Sequence, residues 1–578
     1  MHQKLIRSML AAQVLSALTV SLCLLIDNII IGRFLGTNAI AAYGFANPVL
    51  LLIGALGSLL AAGVQIACSK SLGKGSQEET NAGFSSAIAV TLACSGFFML
   101  AVLLFRDPLS SALGASPRNG ELHDMTRDYL AGFVIGAPAS MGALILVPFL
   151  QMAGESTLLI LAVLGMTVSD VVFDLLSVQV FHGGMFGIGL ASSLSYYIAL
   201  GIAAFYFLSR RSVFRFSRHG VSWRKIRELF RSGVPTLFTM ASSVGMIYAM
   251  NQLLNGLGST AAVAAFTVIT AIGNAANCIS TGVGGVSLTL SGVYFHEEDR
   301  HALQTVLRHL CRYGVLLGLT VGALLAAFAP LLASVFIKEA SAERDMAILG
   351  LRLFAAGLIP CCLNNALKNL YQATGRVLLT EIISVLEGAV FPVLAAFALS
   401  KLWGLTGAWF YFPAGELITL SAIGLYVYAV RKCAPWQKGA AMLLKPDFGV
   451  KDDQLLEMSL SRAGDVPETV AKTEAFCLSH GLGRKETNRI VLCVEEMATN
   501  VMEHGFSLDQ KPHQLQIRLL KKDQSWVLRF RDDCTAFDPV HFIPEDPQSA
   551  PGLRIMMAMS REARYTRSMN LNNLMIRF

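Results

Sequence analysis

Long apolar stretches, each of about 20 residues, recur between residues 9 and 430 and are separated by short polar loops. A bilayer core takes about 20 apolar residues per crossing helix, and about twelve such stretches fit here. The pattern therefore predicts an all-α polytopic membrane protein with about twelve transmembrane helices. The first stretch is not expected to be a cleaved signal peptide. It is too long, lacks a small-residue cleavage site and is followed by Gly32 and Arg33.

From Pro446 onward charged residues become dense and alternate with short apolar stretches, as in a soluble domain. Strands are predicted over 455–461, 513–522, 525–533 and 572–578. Amphipathic helices are predicted over 466–481, 485–505 and 551–563. This C-terminal tail is therefore predicted to be an α+β two-layer domain of about 130 residues, with a sheet packed against helices.

Composition agrees with a membrane protein, since 54% of residues are hydrophobic and 15% are charged, against about 25% charged in soluble proteins. Acidic and basic residues nearly balance in the tail, so the net charge of +7 lies in the membrane part. That balance argues against nucleic acid as a partner of the tail. The eleven cysteines form no CxxC motif or Cys/His cluster, which argues against a zinc site or a disulfide framework.

The distribution of Lys and Arg predicts the orientation in the membrane. The richest basic loop, 209–231, follows the sixth apolar stretch and is therefore expected to face the cytoplasm. Six crossings place Arg7 on that side, and six more return Arg431 and Lys432 to it. The N-terminus, the C-terminus and the tail are all predicted to be cytoplasmic, in a multi-pass protein of the plasma membrane.

The two halves of the apolar region resemble each other at an offset of about 220 residues. "FLGTNAIAAYGF" (34–45) is similar to "GLGSTAAVAAFT" (256–267), and further matches follow in the same order. Six helices per repeat is an even number, so the halves share one orientation, with a central cleft suited to alternating access. The predicted domains are a six-helix bundle over 1–212, a second over 213–432, a linker over 433–450 and the tail domain over 451–578.

Three motifs in the first half are similar to the multidrug and toxic compound extrusion (MATE) family. They are "LIDNIIIGRFLGTNAIAAYG" (25–44), "SLGKGSQEET" (71–80) and "PFLQMAGEST" (148–157). The resemblance covers roughly residues 5–432. It implies an antiporter that exports small organic compounds, often cationic or xenobiotic, against the entry of Na⁺ or H⁺.

Intramembrane carboxylates are costly, at about 2.5–3.5 kcal/mol each, and so require an explanation. Asp27 lies near the outer end of helix 1, and Asp170 and Asp174 share one face of the outer half of helix 5. We expect the three acids at similar depth, where one could exchange a proton or bind Na⁺. In the resemblance, Asp27 and Asp174 match family acids, whereas Asp170 replaces a more usual Asn. The alternative is that Asp27 is solvated at the membrane surface.

The second half lacks matching acids, since Ala249 falls where Asp27 would repeat. Glu387 and Glu416 lie near the middle of helices 11 and 12, where they either contact a cationic substrate or form structural pairs. Lys368 is expected to extend its amine towards the membrane surface from helix 10.

The helix over 485–505 places Glu496 and Asn500 four residues apart on one face, away from its apolar side. A carboxylate beside a carboxamide suits a site that holds Mg²⁺ through oxygens and activates a water or hydroxyl. An ExxxN pair alone is a weak signal, because polar helix faces are common.

Further segments strengthen this signal. "EEMATNVMEHGF", "FRDDCTAFDP" and "APGLRI" occur in this order and resemble the N box and two Gly boxes of the GHKL ATP-binding fold, especially the anti-sigma-factor serine kinases. The resemblance implies Mg-ATP binding, with Asn500 as Mg²⁺ ligand and Glu496 as general base. It also implies that Asp532 accepts a hydrogen bond from the adenine amino group and that Gly552 admits backbone amides near the phosphates. Cys534 departs from a usual Gly, and the lid over 534–551 is short.

The tail is interpreted as a regulatory module, because the chain has no GxxxxGK[ST] P-loop and no paired motor domains. ATPase or protein serine kinase activity of the tail, on a cytoplasmic regulatory protein, stays open. The alternatives for the whole chain are a flippase for lipid-linked precursors, which would favour a cleft rich in bases, and a membrane-anchored signalling kinase. Residues 430–465 contain no His, which argues against a histidine kinase.

Overall fold

The computed structural model describes residues 2–74, 76–113, 115, 120–209, 212–257, 260–337, 342–435, 437, 439–445, 448–507, 512–522, 525–542, 556 and 558–578. Within these ranges ten helices are long and apolar enough to cross a membrane, or eleven if the pair Gly120–Val134 and Ala137–Ala153, bent by 47°, is one crossing. The apolar helical segment Leu5–Thr19 is shorter. The predicted all-α polytopic membrane fold is confirmed.

The first half of the chain forms one bundle around a shared aromatic core. Phe149 packs edge-to-face against Phe84 and Phe214, with ring centroids 4.8 and 4.9 Å apart. Its described helices are α1 (His2–Ile30), α2 (Thr37–Gly73), α3 (Gln77–Leu104), α4 (Arg106–Ala112), α5 (Gly120–Val134), α6 (Ala137–Ala153), α7 (Ser156–Gln179) and α8 (Gly184–Leu208).

The second half forms the other bundle, with its core around Phe266, Phe354 and Trp409. A π-helical turn, Leu386–Val390, joins two of its helices. The described helices are α9 (Trp223–Gly256), α10 (Thr260–Ala276), α11 (Cys278–His296), α12 (Arg300–Phe336), α13 (Ala342–Ala373), α14 (Val377–Val385), α15 (Phe391–Ala408) and α16 (Tyr411–Arg431).

The tail is an antiparallel sheet with helices on one face, as predicted. The strands lie in the order β1-β2-β3-β5-β4, and Ile490 and Val494 of the longer helix pack into the core with Leu528. The elements are β1 (Leu455–Leu460), α17 (Val466–Ser479), α18 (Arg484–Asn500), β2 (Leu515–Lys522), β3 (Ser525–Asp532), β4 (Glu562–Ser568) and β5 (Leu571–Arg577).

The predicted helix over 551–563 is wrong at its C-terminal end. Glu562 and Ala563 begin β4, which pairs antiparallel with β5 over its whole length. Pairing with a neighbouring strand outweighs the local helix preference of this segment, because it completes the edge of the sheet. Residues 551–555 and 557 lie outside the described part of the chain.

The linker packs against the second bundle. The hydroxyl of Tyr371 donates a hydrogen bond to the carbonyl oxygen of Ala441 over 2.9 Å, and Met442 and Leu443 are buried in the core of this bundle. Phe448 stacks on Phe295 with ring centroids 5.0 Å apart. The tail domain is therefore attached through a buried segment.

One end of both bundles, which we name the tail face, contacts the tail domain at Lys74, Ala153 and the segment 297–299. At this face α2 lies directly against α11, since a Cβ added to Gly73 would lie 2.5 Å from the carbonyl oxygen of Val293. The two bundles are therefore in contact on the side where the tail is attached.

The turn between β4 and β5 caps a helix of the first bundle. Met569 and Asn570 both have positive φ, as in a two-residue type I′ hairpin. Their backbone N–H groups donate to the carbonyl oxygens of Met152 (2.5 Å) and Ala153 (3.0 Å) at the end of α6. These carbonyls have no partner within their own helix, so the hairpin satisfies them. Gly154 is required here because a Cβ would lie 2.2 Å from the nitrogen of Asn570.

Candidate functional site

The structure brings Asp27, Asp170 and Asp174 together between α1 and α7. All three are buried, and Asp170 and Asp174 both lie close enough to Asp27 to interact with it electrostatically. The hydroxyl of Ser195 on α8 donates to Oδ1 of Asp170 over 3.0 Å. Across the described residues, neither oxygen of Asp174 has a hydrogen-bond partner, and nor does Oδ1 of Asp27. Asp27 is therefore inside the bundle and not at its solvated rim.

The direction of the helices explains why the three aspartates lie close together. The start of α1 packs against the end of α11 near the tail face, and α7 begins just after Ala153 at the same face. Both helices therefore run away from the tail face, and acids near their far ends reach similar depth. Sequence reasoning missed Ser195 and Cys23, which lies one turn before Asp27 and close to Asp170. The spacing of four between Cys23 and Asp27 was the only signal available.

The carboxylate groups of Asp27, Asp170 and Asp174 lie close together, and their negative charges repel one another strongly in the low-dielectric interior of the bundle. The cluster therefore gains stability when it takes up a cation. Carboxylate oxygens coordinate hard cations well, and a proton serves the same purpose by neutralising one group. The donor set thus fits Na⁺ or H⁺, and the role of these residues in ion coupling stays a prediction.

A second buried cluster lies in the second bundle and corrects the expectation for Lys368. Its amine does not reach towards the membrane surface. It is buried and forms an ion pair with Oε2 of Glu387 over 2.6 Å. The reason is that Glu387, on the π-helical turn, provides a buried countercharge. Oε2 of Glu416 accepts a hydrogen bond from Nδ2 of Asn364 over 2.7 Å, and a carboxylate oxygen of Glu416 lies within 4.8 Å of one of Glu387.

The predicted nucleotide residues line one pocket in the tail. The pocket has a volume of about 420 Å³, within the range of small-molecule sites. Glu496 and Asn500 enter it from α18, and Asp532 enters from the end of β3. Gly552 lies outside the described residues. Three of the four predicted residues are thus brought together around a space of suitable size.

Asp532 is held in a fixed orientation by the last strand. Nδ2 of Asn572 donates to its Oδ1 over 2.7 Å, and the backbone N–H of Cys534 donates to the same atom over 3.0 Å. Burial raises the pKa of Asp532, and the hydrogen bond from Asn572 partly lowers it again. Tyr565 in turn donates to Oδ1 of Asn572 over 2.8 Å. Sequence reasoning missed Asn572 and Tyr565.

The departure at Cys534 is accommodated by the packing. The Sγ atom of Cys534 lies 3.0 Å from the position that a Cβ on Gly505 would occupy. Because residue 505 is a glycine, the larger side chain at position 534 fits beside the π-helical turn Val501–Gly505 that follows α18, at the pocket wall. The pocket is therefore formed despite the replaced glycine.

Comparison with known families identifies both parts of the chain. The MatE family model matches residues 13–176 and 235–397, which together exceed half of the chain. The chain belongs to the MatE family. A second model, the histidine kinase-like ATPase domain, matches residues 460–578. The protein is thus a MATE-family membrane protein that carries a histidine kinase-like ATPase domain.

The two MatE segments begin 222 residues apart, at residues 13 and 235, which confirms the predicted repeat. Multidrug export protein MepA of Staphylococcus aureus (strain NCTC 8325 / PS 47) is 24% identical over 405 residues, covering 69% of this chain and 88% of MepA. Probable multidrug resistance protein NorM of Xanthomonas campestris pv. campestris is 30% identical over 258 residues, covering 41% of this chain and 53% of NorM.

Solved structures show the same fold. A crystal structure of MATE in complex with MaL6 aligns with a TM-score of 0.69 at 21% identity, covering 75% of this chain and 98% of that chain. An outward-facing multidrug resistance MATE family transporter of the MOP superfamily aligns with a TM-score of 0.68 at 21% identity, covering 75% and 97%. Both alignments concern the MATE fold, which confirms the resemblance found in the sequence motifs.

Proposed function

We propose that this MATE protein is an antiporter that uses the entry of Na⁺ or H⁺ to export organic compounds, especially cationic or xenobiotic ones. The observation that carries this proposal is the buried cluster of Asp27, Asp170 and Asp174. Similarity to a protein named as a multidrug export protein and to one named as a probable multidrug resistance protein supports the class of substrate. Glu416 is buried beside Glu387, whereas the direct ion pair of Lys368 is with Glu387, so Glu416 is the preferred candidate for contact with a cationic substrate in the second bundle.

The proposed location is the plasma membrane, with the tail face towards the cytoplasm. The basic loop between α8 and α9 supports this orientation because it lies at the same face as the tail. Nε2 of Gln77, at the start of α3, donates to the carbonyl oxygen of Val213 over 2.5 Å. The backbone N–H of Arg215 donates to Oδ1 of Asn81 over 3.0 Å.

The tail is proposed to bind Mg-ATP in the 420 Å³ pocket. A carboxamide oxygen and a carboxylate suit a hard cation, so Asn500 would hold Mg²⁺ and Glu496 would orient or deprotonate a hydroxyl. Asp532, fixed by Asn572, would accept from the adenine amino group. The bound metal supplies charge neutralisation for the phosphates.

Contacts with both bundles support a regulatory role. The β4–β5 hairpin binds the end of α6 in the first bundle, and Arg531 forms an ion pair with Glu297 in the second. Alternating access requires the bundles to separate at each face in turn. A domain bound to both of them opposes separation at the tail face, and a nucleotide that changes its docking would change the transport rate.

The test is export of a fluorescent organic cation from proteoliposomes under an imposed Na⁺ or H⁺ gradient, with and without Mg-ATP on the tail side. Gradient-driven export without ATP supports the antiporter, and a change of rate with ATP supports regulation. Failure of both gradients, with or without ATP, would favour the flippase or signalling alternatives.

We expect Asn500→Ala to weaken Mg-ATP binding to the full-length protein at least tenfold, because it removes the proposed metal ligand. Asn488→Ala is the matched control, since Asn488 is exposed on the same helix and lies outside the pocket. Equilibrium binding of a fluorescent ATP analogue, with Mg²⁺ varied, measures the effect. An unchanged affinity in Asn500→Ala would remove Asn500 from the metal site.

A further inference from the structure

The face of the tail sheet that carries no helices has an unusual concentration of arginine. Arg518 on β2 and Arg529 on β3 are directly opposite each other, and Arg531 lies two residues further on the same face. Like charges directly opposite on neighbouring strands destabilise a sheet. Within the sheet, Glu457 on β1 lies directly opposite Arg518, and the remaining positive charge has to be balanced from outside the sheet.

The tail face of the bundles supplies part of that charge. Arg531 forms a 2.6 Å ion pair with Glu297, whereas Nη1 of Arg529 is 3.9 Å from the same carboxylate. Arg518 forms an ion pair with Asp299, whose Oδ1 also accepts a hydrogen bond from the backbone N–H of Ala302 over 2.8 Å. A third carboxylate, that of Glu457, lies directly opposite Arg518 on β1. Because Lys74 and Arg564 lie beside the three arginines, basic side chains still outnumber acidic ones here.

Several hydrogen-bonding atoms of this cluster have no protein partner. They are Nε of Arg518, Nε of Arg529 and Nη1 of Arg531, all buried in the described structure. Arg518 and Arg531 are 5% and 6% exposed. Burial lowers the pKa of Arg529; the carboxylate of Glu297 raises it, and Arg518 and Arg531 lower it again. Unpaired buried donors of this kind cost free energy unless a ligand or water satisfies them.

These side chains line a cavity of about 40 Å³ at the junction of the tail with both bundles. Gly73 and Lys74 reach it from the first bundle, Glu297 from the second, and the arginines from the tail. The volume holds about three waters and suits a tetrahedral oxyanion. Planar guanidinium groups match the oxygens of such an anion.

Gln516 adds chemical selectivity. Its Nε2 donates to Glu457, which leaves Oε1 as a buried acceptor without a partner. The anionic oxygens of a hydrogen phosphate accept hydrogen bonds from the arginines, and its P–OH group donates a hydrogen bond to Oε1 of Gln516. Sulfate has anionic oxygens but no hydrogen to donate.

We propose that this cavity, formed by Arg518, Arg529, Arg531 and Gln516 against Glu297, binds a phosphate-class oxyanion that ties the tail to both bundles. The site lies on the opposite face of the sheet from the helices α17 and α18 and is separate from the nucleotide pocket. Two sources supply this chemistry: free phosphate and the phosphomonoester headgroup of a lipid.

The experiment is thermal unfolding of the purified full-length protein at pH 7.5 in detergent, with phosphate, sulfate or chloride at one ionic strength. A ligand that binds only the folded state raises the Tm as its concentration rises. We expect phosphate to raise the Tm in a saturable way, and sulfate to require at least tenfold more anion. In a separate arm, mixed micelles with phosphatidate are compared with phosphatidylcholine.

Arg529→Gln is the decisive variant, because its ion pair with the protein is the longest of the three and docking should survive its loss. We expect the variant to bind phosphate at least tenfold more weakly, with Arg561→Gln, at an exposed arginine, unchanged. Arg529→Lys, which keeps the charge but loses the planar fork, gives the same test if Arg529→Gln does not fold.

Each outcome decides the proposal. A phosphate effect that Arg529→Gln loses supports the site and identifies free phosphate, and an effect confined to phosphatidate that the variant also loses identifies a headgroup. Three results overturn it: no anion or lipid effect beyond chloride, the same effect in Arg529→Gln, or an effect lost in Asn500→Ala. The last would place the anion in the nucleotide pocket.

Discussion

Asp27→Asn is expected to abolish gradient-driven export, reducing it to the rate of proteoliposomes without an imposed gradient. The substitution keeps the shape of the side chain but removes its negative charge and its exchangeable proton. Asp27 interacts electrostatically with both Asp170 and Asp174, so the substitution removes the group that would link the two helices through the proposed cation. The fold should persist, because one fewer carboxylate in the cluster reduces repulsion.

The measurement is initial export rate under an H⁺ gradient and, separately, a Na⁺ gradient, together with the Tm of the purified variant. Asp124→Asn is the control, since Asp124 is exposed on α5 and pairs with Arg127 at 3.1 Å. Export by Asp27→Asn at the wild-type rate would exclude Asp27 as the coupling residue.

Asp170→Asn provides a contrast within the cluster. Asp170 already accepts a hydrogen bond from Ser195, and an amide oxygen at this position would keep that bond. We therefore expect Asp170→Asn to retain gradient-driven export, at a rate within about tenfold of wild type. Export by Asp170→Asn and by the wild-type protein is measured under a Na⁺ gradient and under an H⁺ gradient. A change in which gradient drives export would show that the carboxylate of Asp170 selects the coupling ion.

The sequence was sufficient for sites that depend on local periodicity or on a motif. Asp170 and Asp174 share a face because residues four apart lie on the same side of a helix. The first and fifth predicted helices cross the membrane in the same direction, so Asp27 is expected at the same depth as these two acids. Glu496 and Asn500 were accessible because they too are four residues apart. Asp532 could be predicted from the motif "FRDDCTAFDP", which lies at the end of a predicted strand.

The sequence was insufficient where a partner comes from a distant segment. The hydrogen bond from Asn572 to Asp532 joins residues on neighbouring strands 40 positions apart, and nothing in the local pattern shows it. Lys368 was placed wrongly because periodicity does not reveal the countercharge on Glu387. Arg518, Arg529 and Arg531 alternate with apolar residues as on a solvent-exposed face, so only the docked structure shows that the bundles cover them.

The ion pair of Glu297 with Arg531 connects the tail to the second bundle, and its removal is predicted to uncouple the two parts. Both groups are more than nine-tenths buried. Breaking a buried pair at one partner costs about 3–5 kcal/mol, because an unpaired charge is left behind. Glu297→Arg is more severe, since it adds a fourth guanidinium beside Arg518 and Arg529. We expect the tail to leave its docking position and Mg-ATP to lose its effect on the export rate.

Glu298→Arg is the matched control for this substitution. Glu298 is the next residue, pairs with Lys522 and is about half exposed, so its pair is expected to contribute about 1 kcal/mol or less. We therefore expect Glu298→Arg to keep the response to Mg-ATP. The export rate of both variants is measured with and without the nucleotide, and binding of the nucleotide is measured in parallel to show that the tail remains folded.

The double variant Glu297→Arg with Arg531→Glu separates loss of the pair from general damage. Exchanging the two charges rebuilds the attraction in the opposite sense, so the response to Mg-ATP should return at least in part, whereas each single variant lacks it. If Glu297→Arg alone responds to Mg-ATP as wild type does, this contact does not transmit regulation. Restoration in the double variant would instead show that the tail acts on the transporter through the docking contact at the tail face, because the nucleotide pocket is unchanged in all three proteins.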